Sequence, residues 1–285
     1  MFTYSTAYYD LKNALQPLYE EGEATAIAHA ILEHITGADK LERLTEKDKP
    51  LTAIQQQQYI ITKELLLKAT PVQYIIGKTW FLGREFMVND SVLIPRPETE
   101  ELVDWIVKDN AGKSPSIIDI GTGSGCIAVS LKLDLPQATV TACDVSSGAL
   151  LVARMNASNL DADLEVKHID FLNPEQVDTL GRYDIIASNP PYIPESDKST
   201  IHANVLEHEP HVALFVPTDD ALLFYRIIAD FGLTNLNDNG LVYCELDRDY
   251  ALQTKDLFES KGYINVEVRN DMAGNTRMLK ALLKK

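Results

Sequence analysis

Asn189-Pro190-Pro191-Tyr192 is the segment of this chain best suited to act on another molecule. It follows Asp184-Ile185-Ile186-Ala187-Ser188, a short β-branched run that predicts a buried strand. Two successive prolines remove two backbone donors and stiffen the chain, which leaves the carbonyl oxygens of Asn189 and Pro190 free to face a bound group. Acceptors without neighbouring donors select an NH2 group. The side-chain oxygen of Asn189 takes one hydrogen, the carbonyl of Pro190 takes the other, and Tyr192 stacks on the plane of the group. An amide nitrogen is a poor nucleophile because its lone pair is delocalised. Two aimed acceptors favour positive charge on it as a bond to carbon forms, and they orient the lone pair. Asn189, Pro190 and Tyr192 are therefore the expected catalytic residues. Pro191 joins them among the expected substrate contacts.

A second loop supplies the partner for this chemistry. Asp119-Ile120-Gly121-Thr122-Gly123-Ser124-Gly125-Cys126-Ile127-Ala128 leaves one predicted strand and enters a helix, with glycine at alternate positions where the backbone must approach a ligand. The following helix offers unpaired N–H groups at its start. Asp144, nineteen residues after Gly125 and at the end of the next strand, is placed to accept hydrogen bonds from both ribose hydroxyls of a nucleoside cofactor. Gly123, Gly125 and Ala128 also satisfy dinucleotide spacing. Asp119 favours S-adenosylmethionine instead, because an acid ending the first strand can pair with an α-amino group that a dinucleotide lacks. Phe171, just after the third strand, is expected to pack on adenine.

The elements that must carry these loops follow from hydrophobic periodicity. Residues 1–70 read as three or four helices, with apolar positions such as Ala26, Ile27, Ala30 and Ile31, then Ile54, Ile61 and Leu65. Pro50 is expected to open a long helix ending before Pro71. Val72 to Ile94 alternates around Gly77 and Gly83 and suggests a linking β-hairpin. Residues 95–285 alternate strands with helices. The strands expected are Ser116–Asp119, Thr139–Cys143, Leu164–His168, Asp184–Ser188, Leu241–Leu246, Ile264–Arg269 and Arg277–Leu283. Seven strands fit one α/β, Rossmann-like, mostly parallel sheet covered on both faces. Gln55 to Gln58 are expected on a solvated face.

Composition narrows the setting. A net charge of −16 repels a polyanion, so direct nucleic-acid binding is disfavoured. No apolar stretch approaches the ~20 residues that span a bilayer, and no export signal is visible near the N-terminus, so a cytoplasmic, non-membrane protein is expected. Cys126, Cys143 and Cys244 lack metal or disulfide spacing and read as buried small hydrophobes. No metal is expected.

With both loops in place, the chain resembles the HemK/PrmC family of release factor glutamine methyltransferases. The match takes in Pro71-Val72-Gln73-Tyr74-Ile75-Ile76-Gly77, Phe81-Leu82-Gly83, Val92-Leu93-Ile94-Pro95-Arg96-Pro97-Glu98-Thr99-Glu100, Leu223-Phe224-Tyr225-Arg226 and Asp271-Met272-Ala273-Gly274-Asn275-Thr276-Arg277. The Pro95 to Glu100 run separates this family from enzymes that methylate adenine or guanine amino groups, which share Asn-Pro-Pro-Tyr in broad form. The resemblance implies a class I methyltransferase fold behind a helical partner-recognition domain, and methyl transfer to the glutamine of the Gly-Gly-Gln motif in peptide chain release factors. It implies cofactor contacts at Gly121, Thr122, Gly123, Ser124, Gly125, Asp144, Phe171 and Asn189, and places Arg96 and Glu100 near the cofactor's methionine end. Two segments depart from the family pattern, Leu214 to Asp220 and Cys244-Glu245-Leu246-Asp247. Neither is expected to touch the catalytic atoms.

Overall fold

The structure is a computed structural model and describes residues 2–284. The chain divides into two compact units, Met1–Gly77 with His202–His208, and Lys78–Ile201 with Glu209–Lys285.

The first unit holds α1 (Tyr4–Leu15), α2 (Glu21–Thr36), α3 (Lys40–Thr45), α4 (Ala53–Leu67) and α5 (Val72–Ile76). Its core comes from Ala7, Leu11 and Leu15 of α1, Ile27, Ile31 and Ile35 of α2, and Tyr59 and Leu66 of α4. The long helix starts later than expected. Thr52 caps it in a reciprocal box with Gln55, whereas Pro50 bridges Thr3. Its inward face also differs: Tyr59, Thr62 and Leu66 are buried, and Ile54, Ile61 and Leu65 are exposed. Apolar residues occupy two faces of α4, so periodicity alone cannot say which one turns inward. Tyr59 wins because its ring fills the core while its hydroxyl donates to Asp10 Oδ2 at 2.5 Å, with the Ala7 carbonyl 3.1 Å away.

The expected hairpin likewise begins later. Val72–Ile76 is a helical turn closed by Gly77 at φ +81°, a left-handed conformation that suits glycine. Val72, Ile75 and Ile76 pack on the helical core, and their i, i+3, i+4 spacing serves a helix as well as alternation serves a strand.

In the second unit, β1 (Lys78–Phe81) and β2 (Arg84–Met87) form the hairpin. After it come α6 (Pro97–Asn110), β3 (Ser116–Ile120), α7 (Cys126–Asp134), β4 (Thr139–Asp144), α8 (Ser147–Asn159), β5 (Glu165–His168), β6 (Tyr183–Ser188), α9 (Leu223–Asn235), β7 (Leu236–Glu245), α10 (Ala251–Ser260), β8 (Ile264–Asn270) and β9 (Thr276–Leu283). The seven strands lie in the order β8-β9-β7-β6-β3-β4-β5. All run parallel except β9, which is antiparallel to both its neighbours. One face is covered by Leu102, Ile106, Ile127 and Leu131 of α6 and α7, the other by Ile228, Phe231 and Phe258 of α9 and α10. This is the expected doubly wound architecture. β7 starts five residues before the expected Leu241, because Leu236 pairs with Tyr183 ahead of a bulge.

The connection from β3 leads to β4 on one side, and that from β6 leads to β7 on the other. The sheet therefore opens a crevice at the carboxyl ends of β3 and β6, where the two chemically distinctive loops emerge.

Candidate functional site

Ile120, Ser188 and Cys244 form one row across β3, β6 and β7. The residues directly after that row are Gly121, Asn189 and Glu245, so three strand ends deliver their next residue to the same level. Ser188 Oγ donates to the Ile120 carbonyl at 2.7 Å, tying the two loop bases together. Above them lies a cleft of about 240 Å³ whose lining includes Gly121 to Ser124, Asp144, Phe171 and Asn189 to Pro191. The sequence-predicted residues of both loops thus meet in one cavity, apart from Asp119, Gly125 and Tyr192, which are not part of its lining.

The glycine loop is held from below. Gly121, Gly123 and Gly125 have φ of +73°, +54° and +80°, a region that costs other residues ~1–2 kcal/mol each. A Cβ on Gly125 would also lie 3.2 Å from the Ala153 backbone. Asp144 Oδ2 accepts from the Gly123 N–H and Oδ1 from the Ser146 N–H, both at 2.9 Å. The carboxylate therefore shapes the loop as well as facing the cleft. Burial pushes its pKa up. Phe171 lines the cleft and meets Phe231 edge-on at 5.2 Å.

Asp119 sits elsewhere than expected. Its side chain is fully buried, and Oδ2 accepts from Thr122 Oγ1 at 2.6 Å and from the Ala128 N–H at 3.2 Å. It braces the loop, satisfies a donor in the first turn of α7 and lies outside the lining of the cleft. Burial raises its pKa to about 7, against the pull of those hydrogen bonds. Its other oxygen, Oδ1, has no partner.

The Asn-Pro-Pro-Tyr loop is organised by two residues that sequence reasoning did not assign. Asn189 Nδ2 donates to Thr99 Oγ1 at 3.2 Å, and Thr99 Oγ1 donates to Glu245 Oε2 at 2.5 Å. Tyr192 directs its hydroxyl at Glu245 Oε1, 3.4 Å away. Among the described residues none donates to Asn189 Oδ1 or to the Pro190 carbonyl. Burial raises the Glu245 pKa to about 7 and pushes the Tyr192 hydroxyl up as well. Of the two departures from the family pattern, Glu245 touches this loop through Tyr192, and Leu214 accepts from the Ile193 N–H just beyond it at 3.0 Å. Strand neighbours far apart in sequence carry these contacts, so no local signal announces them.

Three further side chains tie the surrounding elements together, of which only Arg96 belongs to the lining of the cleft. Arg96 pairs at 2.7 Å with buried Glu209, which also accepts from the Ile94 N–H. Glu100 accepts from the Leu82 N–H at the hairpin turn. Asn156 exchanges two hydrogen bonds with the Met87 backbone and donates to the Ser124 carbonyl at 2.8 Å. It links the hairpin to the glycine loop. Among the described residues no cluster of His, Cys, Asp or Glu side chains could hold a metal ion, and no helix is long and apolar enough to cross a membrane.

Comparison with known proteins places this arrangement. Residues 98–212 match the family described as Methyltransferase small domain, and residues 10–77 match the PrmC N-terminal domain. The crystal structure of a methyltransferase from Pyrococcus furiosus covers 82% of this chain and 100% of its own with a TM-score of 0.54, at 17% identity, which speaks to the fold. The release factor glutamine methyltransferase of Flavobacterium psychrophilum is 42% identical over 271 residues, 94% of each chain. That of Bacteroides thetaiotaomicron is 42% identical over 276 residues, 97% of this chain and 98% of its own. Identity of that order over nearly the whole length, from the helical unit through the last strand, means that the chain belongs to the release factor glutamine methyltransferase family.

Proposed function

We propose that this protein transfers a methyl group from S-adenosylmethionine to the side-chain amide nitrogen of the glutamine in the Gly-Gly-Gln motif of peptide chain release factors. The observation that carries the reading is the state of the Asn-Pro-Pro-Tyr loop: Asn189 spends its NH2 on Thr99 and keeps Oδ1 free, beside a proline carbonyl that is also free. A carboxamide NH2 needs two such acceptors. The names borne by relatives 42% identical over nearly their full length support the same substrate.

The cleft fits the cofactor by its chemistry. Asp144 faces it as a hydroxyl acceptor, Phe171 offers an aromatic face, and the glycine loop admits a ligand close to the backbone. When bound, the sulfonium supplies an electrophilic methyl carbon. Asn189 Oδ1 and the Pro190 carbonyl hold the two hydrogens of the target nitrogen, which fixes its plane and aims its lone pair into the cleft. As positive charge grows on that nitrogen, both contacts strengthen, so they stabilise the transition state more than the ground state. Pro191 lines the cleft beside them, whereas Tyr192 stays outside the lining with its hydroxyl on Glu245; once the bond to the methyl carbon has formed, the nitrogen sheds its extra proton.

The test offers release factor, RNA and DNA side by side to the enzyme with labelled S-adenosylmethionine. Label is expected only on the release factor, on the peptide bearing the glutamine. Label on RNA or DNA alone would establish the alternative, an amino-group methyltransferase acting on bases.

A further inference from the structure

We propose that Thr99 and Glu245 are positioning residues for transfer: together they fix which way the Asn189 carboxamide faces, and so make the site selective for a nitrogen that carries hydrogens. The proposal deepens the glutamine-amide reading above and rests on it for the identity of the substrate.

An ionised carboxylate can only accept. Glu245 therefore draws the single proton of the Thr99 hydroxyl to Oε2 at 2.5 Å. The threonine oxygen is left with lone pairs only, and these face Asn189, whose Nδ2 stands 3.2 Å away. The opposite amide orientation would set Asn189 Oδ1 against an oxygen whose proton is already committed, placing two lone pairs in contact. Only the orientation with NH2 toward Thr99 is satisfied, and it aims Oδ1 away as an acceptor. An isolated asparagine has no such preference, since its two ends differ little in size.

Glu245 also reaches the far end of the same loop. Its second oxygen, Oε1, takes the Tyr192 hydroxyl at 3.4 Å, so one carboxylate pins the first and last residues of Asn-Pro-Pro-Tyr. Thr99 and Glu245 are each only 2% exposed, and they approach from different elements, α6 and the end of β7. Glu245 arrives there because Cys244 is paired with Ser188, one residue ahead of Asn189 on the neighbouring strand. Glu245 lies behind the loop, outside the lining of the cleft, whereas Thr99 lines the cleft beside Asn189; the effect proposed for the pair passes through the Asn189 carboxamide.

Thr99→Val keeps the shape and removes the hydroxyl, whereas Thr99→Ser restores it. With full-length protein and release factor as substrate, T99V is expected to lose about 10- to 100-fold in kcat. Its KM for S-adenosylmethionine should stay within about threefold, and T99S should recover most of the kcat. A merely structural threonine would shift both constants together and would not separate valine from serine. A second readout is independent of any substrate: solvent exchange of the Asn189 carboxamide protons, followed in protein carrying ¹⁵N-asparagine and assigned by their absence in Asn189→Ala. Exchange is expected to be slow in wild type and T99S, and fast in T99V. Should the wild type leave release factor unmodified, the substrate reading falls while the exchange measurement still decides the orientation. Should T99V fail to fold, Thr99→Ala takes its place. Wild-type kcat in the folded hydroxyl-free variant, or equal exchange in all three proteins, overturns the proposal.

Discussion

Asn189 and Thr99 meet at 3.2 Å with the asparagine donating, so the one hydroxyl nearest the carboxamide engages its nitrogen and leaves its oxygen unspent. The first expectation concerns that oxygen. Under the proposed function Asn189→Ala removes an acceptor whose contact would tighten as charge develops, and should lower kcat by about 100- to 1,000-fold. Affinity for S-adenosylmethionine, measured by calorimetry, should weaken by less than about tenfold. Equal turnover in variant and wild type would remove Asn189 from the chemistry.

Asp144 serves the loop and the cleft at once. Asp144→Asn must present an NH2 to either the Gly123 or the Ser146 N–H, both now bonded to the carboxylate, and so loses at least one charge-assisted bond of ~1.5–3 kcal/mol. S-adenosylmethionine should bind about 10- to 100-fold more weakly. Calorimetric titration reads this directly, and unchanged affinity would detach Asp144 from the cofactor.

Two buried carboxyls set opposite pH dependences. Glu245 has a pKa raised to about 7, chiefly by burial, with Glu98 adding to the rise and Thr99, Tyr192 and Arg277 opposing it. It must be ionised to accept from both hydroxyls, so kcat should rise as pH increases through about 7. Glu245→Gln should lack that limb.

For Asp119 the readout is stability. Its folded pKa of about 7 stands above the ordinary 3.8, so the folded state holds the proton more tightly. The stabilisation this provides is fully present below about pH 4 and is lost as pH rises through about 7. The stability of wild type relative to Asp119→Asn should therefore decline steadily from pH 4 to 8. Denaturant unfolding at several pH values checks the slope, and a rising difference would contradict the sign.

Among the loop glycines the strain should be graded. Gly121→Ala meets open space and bears only the left-handed backbone cost of ~1–2 kcal/mol. Gly125→Ala adds a contact of 3.2 Å with Ala153 and should lose roughly 1–3 kcal/mol more. Urea midpoints in the order wild type, G121A, G125A are expected. Equal midpoints for the two variants would mean that α8 yields freely.

What the sequence decided unaided is local. Alternate glycines, paired prolines and the acid at a strand end act on the backbone within a few residues, so the character of both loops was legible in the order of residues. So were the seven strands and their alternation with helices, since burial on both faces demands continuous apolar runs. Elements with two plausible apolar faces were not. α4 turns Tyr59 inward instead of Ile61, and Val72–Ile76 coils where alternation suggested a strand, because packing partners choose between periods that one sequence satisfies equally.

Adjacency across the sheet belonged to tertiary structure alone. The row Ile120, Ser188, Cys244 brings Glu245 beside a loop 56 residues earlier in the chain. Asp119 lies beneath its loop and outside the lining of the cleft. Strand order and register arise from how the whole sheet buries its two faces, and no window of neighbouring residues contains that information. A chain can thus spell out which groups it will use for chemistry, while the hydrogen bonds that orient them exist only once distant strands have found each other.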